Sequence, residues 1–169
     1  MDIRRATSAD MIAVWELVRG SYVRAGLAKS DYYALSHWDF APETTVLVGV
    51  EDDEIVGTVS YTLDSFRALP IDEDYKQEVD RVRSDTRTLA CVWRLAAKKG
   101  GAALARAVLK EILDMGVDDA VMQCHPRHRL FYERRFGFAH LGSRPETAGL
   151  HCAPSCLMHT KREVFSKHV

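Results

Sequence analysis

The stretch LACVWRLAAKKGGAALARAVLKEILDMGVDDAVMQCHPRHRLFYERRFGF, Leu89 to Phe138, decides the fold. It opens with an apolar run, Leu89 to Ala97, and passes through a lysine-glycine turn into a long helical pattern that closes at Gly116. A second apolar run, Ala120 to Cys124, leads into a short segment, His125 to Phe138. The order is strand, glycine turn, helix, strand, short helix, strand. Two strands joined through a helix run parallel with a right-handed crossover. At the glycine turn the free N–H groups and the helix dipole favour an anion, typically a phosphate. Tyr132 falls near the C-terminal end of the second parallel strand, where open α/β sheets bind ligands.

The flanks supply scaffold. Ile3 to Ala6 is a short strand; Thr7 to Asp10 offers caps for a helix whose apolar face is Met11, Val14, Trp15, Val18, Tyr22 and Val23. Arg4, Arg5, Arg19 and Arg24 form either a solvated face or a landing patch for an acidic carrier protein. Thr44 to Val50 and Ile55 to Leu63 make a hairpin in which Gly57 marks a bulge or relieves crowding. Lys29 to Pro42 is aromatic without a clean period, and Tyr32, Tyr33, Trp38 and Phe40 are candidates for a substrate wall or for core packing. Pro70 and the acids Asp72 to Asp74 open a helix with Tyr75, Val79 and Val82 on one face. Gly142 to Gly149 reads as a turn-rich link, Leu150 to Thr160 as a last strand, and Arg162 to Val169 as a short helix or tail.

A chain of 169 residues with 47% hydrophobic and 28% charged residues fits one soluble domain, residues 1–169. The net charge of -1 carries no nucleic-acid footprint. No apolar run reaches the ~20 residues of a membrane span. The expected location is cytoplasmic, with Cys91, Cys124, Cys152 and Cys156 reduced. Cys124-His125-x-x-His128 and His151-Cys152-x-x-x-Cys156-x-x-His159 contain metal-ligand types, but neither has a firm finger spacing, so no metal is expected.

Three motifs resemble the GNAT acyltransferase superfamily and, within it, the long-chain N-acyl amino acid synthases. They are LPIDEDYKQEVDRVR (Leu69 to Arg83) running into LACVWRLAA, KKGGAALARAVL (Lys98 to Leu109), and CHPRHRLFYERRFGF (Cys124 to Phe138). The chain departs from the family where Cys91 replaces an acid, and where Ala97 runs straight into Lys98. The resemblance implies a mixed α/β fold: a strongly twisted sheet with two splayed central parallel strands and helices on both faces. It implies as co-substrate an acyl-phosphopantetheine thioester, carried by coenzyme A or an acyl carrier protein. The thioester carbonyl would meet backbone at Leu95, Ala96 and Ala97, the phosphate end would meet the N–H groups of Lys99, Gly100, Gly101, Ala102 and Ala103, and Lys98 would join them in binding the cofactor.

Aminolysis of a thioester needs a neutral positioned amine, donors for the carbonyl oxygen and a proton for the leaving thiolate. Tyr132 is the candidate acid; its reference pKa of ~10 lies close to the ~8.5 of a thiol. His125 and His128 are candidate bases, or helix caps. Arg94 would hold an acceptor carboxylate, or pair with an acid from the neighbouring strand. Cys91, inside an apolar strand, reads as core. The expected activity is acyl transfer to the amine of an amino acid. Transfer of a small acyl group from acetyl coenzyme A, and ligand binding without turnover, are the alternatives.

Overall fold

A computed structural model describes residues 1–29, 31, 36–147 and 153–169. The strands are β1 (Asp2–Arg5), β2 (Thr44–Glu51), β3 (Glu54–Leu63), β4 (Leu89–Ala97), β5 (Asp119–Cys124), β6 (Ala139–Thr147) and β7 (Ala153–Lys161). The helices are α1 (Met11–Arg24), α2 (Asp72–Asp85), α3 (Gly101–Asp114), α4 (Arg129–Phe136) and α5 (Arg162–Phe165). All seven strands form one mixed sheet, in the order β1-β2-β3-β4-β5-β7-β6. Only β4 and β5 pair in parallel, through the crossover α3; every other neighbour is antiparallel.

β4 and β5 are largely apolar because each is buried on both faces over most of its length. Ala90, Val92, Ala120 and Met122 pack under Leu104, Val108 and Ile112 of α3, with Phe136 of α4 and Phe165 of α5 completing that layer. Leu89, Cys91 and Val121 point the other way, beneath Tyr75, Val79 and Val82 of α2. α1 covers the β2 end of this second face through Val14 on Val46 and Val48.

Two glycines fix the seat of α3. A Cβ on Gly57 would lie 2.5 Å from Leu104 Cδ1, so this glycine lets the first turn of α3 rest on β3. Gly100 caps the helix with φ +75°, a left-handed conformation that costs any residue bearing a Cβ.

The expected link at Gly142 to Gly149 is instead largely strand: β6 runs through Gly142 to Thr147 and pairs with β7. Its register breaks after His140 and again after Arg144, and most of its side chains are exposed, so neither alternation nor burial marked it as a strand. In the aromatic Lys29–Pro42 segment, His37–Phe40 forms a 3-10 turn capped by the Ser36 hydroxyl. Tyr32 and Tyr33 lie outside the described residues, as do His151 and Cys152. Among the described residues, no helix is long and apolar enough to cross a membrane.

Candidate active site

The two parallel strands stay together for four positions, from Leu89 opposite Asp119 to Val92 opposite Met122. Beyond that point β4 continues to Ala97 without β5. Arg94 lies at the point of departure, with a φ of +54° that a non-glycine residue rarely adopts. Against β3, Ser60 faces Trp93 and Thr58 faces Ala96, leaving Arg94 and Leu95 opposite Val59 alone. This is a β-bulge, and bulges bend the strand that carries them. The other edge of β4 stays fastened: Ala97 pairs with Gly57, and the Lys98 N–H donates to the Val56 carbonyl at 2.8 Å.

A cleft of about 500 Å³ occupies the opening. Leu95 to Lys99 with Gly101 and Ala102 form one wall; Arg127, His128, Phe131 and Tyr132 form another; Ser21, Tyr22, Ala25 and Leu27 line the α1 side. At its glycine end the N–H groups of Lys99, Gly100, Gly101 and Ala102 bond to no described residue. The anion cradle is narrower than the expected Lys99 to Ala103, because the Ala103 N–H donates to the Gly100 carbonyl at 2.9 Å. The lysine side chains flank this end, Lys98 near Glu54 at 3.9 Å and Lys99 paired with Glu51.

Tyr132 is buried, with its ring edge-on to Phe131 and Phe138. Burial pushes its phenol well above the ordinary value, and the neighbouring Cys124 adds to the shift. Its hydroxyl has no hydrogen-bond partner among the described residues, so it keeps its proton and has nothing of the protein to give it to.

The two histidines separate. His128 lines the cleft, whereas His125 does not. His125 Nδ1 accepts from the Arg127 N–H at 3.3 Å and caps the 3-10 turn Pro126–His128. His128 Nε2 accepts from Arg127 Nε at 3.0 Å. Burial, with Arg127 as second cause, lowers both pKa values and favours neutral rings. Each ring therefore spends its single lone pair on Arg127 and presents an N–H with its other nitrogen. Arg127 also reaches the Ala25 carbonyl, at 3.4 Å, and so ties the end of α1 to the 3-10 turn before α4.

Arg94 pairs with neither alternative expected of it. Its Nη1 lies 2.7 Å from both oxygens of Asp39, in the 3-10 turn rather than a neighbouring strand, and its guanidinium stacks 4.7 Å from the Trp93 ring. The side chains are 10% and 1% exposed, so a substrate carboxylate would first have to displace Asp39. Phe40 and Trp38 do not line the cleft. Phe40 is 65% exposed, packs on Trp15, and borders a separate groove between α1 and β2; Trp38 stacks on His37. In the basic patch, Arg4 is bonded to Asp10 and Arg5 to Glu111.

Cys91 faces α2 within the paired part of β4, short of the opening, with its thiol pushed up by burial. Among the described residues no three His, Cys, Asp or Glu side chains gather to hold a metal. Sequence reasoning missed Tyr22, Arg127 and Phe131 as cleft residues. Arg127 carried a signal in its place between the two histidines; the other two depend on how α1 and α4 rotate onto the sheet.

Comparison with curated protein sequences returns no match. Among solved structures, FeeM, an N-acyl amino acid synthase from uncultured soil microbes, superposes with a TM-score of 0.85 at 22% identity. That match covers 99% of this chain and 94% of the other. The ribosomal-protein-alanine N-acetyltransferase of Brucella melitensis gives a TM-score of 0.65 at 17% identity, over 95% of this chain and 99% of its own. An acyl-CoA N-acyltransferase from Pseudomonas aeruginosa gives 0.65 at 13% identity, over 94% and 96%. The fold is thus that of the GNAT acyltransferases. The family model of the N-acyl amino acid synthase FeeM matches residues 13–161, and the chain belongs to that family of acyltransferases.

Proposed function

We propose that the protein transfers an acyl group from a phosphopantetheine thioester to the amine of an amino acid. The observation that carries this reading is the opening between β4 and β5, which starts at the Arg94 bulge and ends at the four bare amides of Lys99 to Ala102. A pantetheine arm is a slim, hydrogen-bonding chain with a phosphate at one end. The unpaired edge of β4 past Val92 offers it strand-like partners, and the bare amides at the start of α3 suit its phosphate.

In the reaction the amine nitrogen attacks the thioester carbonyl carbon, the C–N bond forms, and the C–S bond breaks with its electron pair leaving on sulfur. Tyr132 supplies the proton that sulfur needs. The nitrogen sheds its extra proton, and that proton restores the phenol through water. The atoms balance as amine plus thioester giving amide plus thiol. Because burial makes Tyr132 a weak acid, it hands over its proton only as negative charge gathers on sulfur. Neither histidine takes the amine's proton in this scheme, since both lone pairs are engaged by Arg127.

The test is incubation with acyl-coenzyme A and acyl-carrier-protein thioesters of increasing chain length and a mixture of the standard amino acids. Thiol release and mass spectrometry report the outcome. N-acyl amino acids formed with one thiol per amide support the reading; no amide from any donor refutes it.

A further inference from the structure

We infer that the Gln123 carbonyl oxygen is the hydrogen-bond acceptor that receives the N–H of the incoming amine, on the α2 face of the opening. This deepens the proposed function and rests on it. Val92 and Met122 are the last paired residues of β4 and β5. Trp93 and Gln123 follow, so they stand at the crotch of the opening. Trp93 packs on the α2 side, and Gln123 bonds to α2 itself. Tyr132 is on the opposite face, clustered with Met122 and Cys124. Gln123 is thus the first β5 residue beyond the paired positions, on the face opposite Tyr132.

The orientation of the Gln123 carboxamide is set by its partners. Its Nε2 donates to Asp74 Oδ2 at 2.9 Å and to Ser155 Oγ at 3.0 Å. A carboxylate only accepts, so the amide cannot turn over without placing oxygen against oxygen. The chain continues consistently: the Tyr75 hydroxyl donates to the Ser155 carbonyl at 3.0 Å, which leaves the Ser155 hydroxyl to donate to Tyr75 Oη at 2.7 Å. Burial raises the Tyr75 pKa and keeps that donor protonated. With both Nε2 hydrogens committed, Gln123 Oε1 is left as an acceptor with no partner among the described residues. Negative charge on Asp74 pulls on the Nε2 hydrogens and strengthens Oε1 as an acceptor. A neutral amine has N–H groups to donate and one lone pair to attack with. An acceptor that engages an N–H turns the lone pair toward the carbonyl carbon.

Gln123→Met keeps the length of the side chain and removes both polar atoms. The expected result is a rise of about tenfold in the KM for the amino acid, with the KM for the acyl thioester within twofold of wild type. Asp74→Asn keeps the shape, but it can donate and so lets the Gln123 amide turn; it should raise the amino-acid KM several-fold and leave the thioester KM unchanged. A purely structural Gln123 would instead lower the melting temperature and affect both KM values together, or neither, and either outcome overturns the inference while amide formation by the wild type stands. A second measurement does not depend on turnover. The Gln123 side-chain amide resonances, identified by their loss in Gln123→Met, should shift when the amino-acid mixture is added to protein holding coenzyme A. If the wild type forms no amide, a shift still supports the site while the reaction fails, and the absence of a shift overturns both.

Discussion

Replacing Arg94 tests the element on which the opening depends. Its guanidinium and the Asp39 carboxylate are 10% and 1% exposed, so Arg94→Met strands a carboxylate in a dry site. Breaking one side of a buried pair costs about 3–5 kcal/mol. Asp39 still accepts the Ser36 N–H at 2.8 Å, which places the loss near the lower end, about 3 kcal/mol. In Asp39→Asn with Arg94→Met no charge is stranded and the turn keeps its capping acceptor; about 2 kcal/mol should return. The backbone contributes separately. Arg94 sits at φ +54°, where a Cβ costs about 1–2 kcal/mol, so Arg94→Gly should be more stable than Arg94→Ala by that amount although both lack the ion pair. Urea unfolding followed by far-UV circular dichroism measures all four variants. The reasoning is refuted if Arg94→Met is as stable as the double variant, or if alanine at this position is no worse than glycine.

Tyr132→Phe should lower turnover by about two to four orders of magnitude while the Kd for an acyl-coenzyme A stays within twofold, read by stopped assays and calorimetry. In alkaline unfolding the same variant isolates one ionisation: the folded Tyr132 pKa lies above its unfolded value near ~10. Its contribution is present in full below about pH 10 and is lost as pH rises from there to the folded value, so across that interval wild type should lose stability faster than Tyr132→Phe. Gly100→Ala should cost about 1–2 kcal/mol in unfolding experiments, because φ is +75°, and should raise the KM of the thioester by disturbing the bare amides.

The central strands, the crossover helix and the glycine turn were legible in the sequence, because each rests on a local pattern. Leu89–Ala97 and Ala120–Cys124 are apolar except at Arg94 and Gln123, since both faces are covered. Leu104, Val108 and Ile112 repeat at the helical period. β6 was not legible: an exposed edge strand with two register shifts has no buried face to impose alternation. Tyr132 could be placed near the end of β5 by its position in the chain. The fate of His125 and His128 could not, because it turns on Arg127, whose backbone N–H caps onto His125 and whose side chain folds back on His128. Arg94 illustrates the limit most clearly. A charge inside an apolar strand announces a partner or a cleft, yet nothing local identifies Asp39, which lies 55 residues away and in another kind of element.

The short contact between β4 and β5 has a mechanical meaning. The sheet is two antiparallel leaves, β1 to β4 and β5 with β7 and β6, joined through a spine of four paired positions. A guest entering at the free margin separates no ladder, because none exists there to be broken. In the proposed reaction the donor would therefore occupy a gap already left in the framework rather than displace a paired strand.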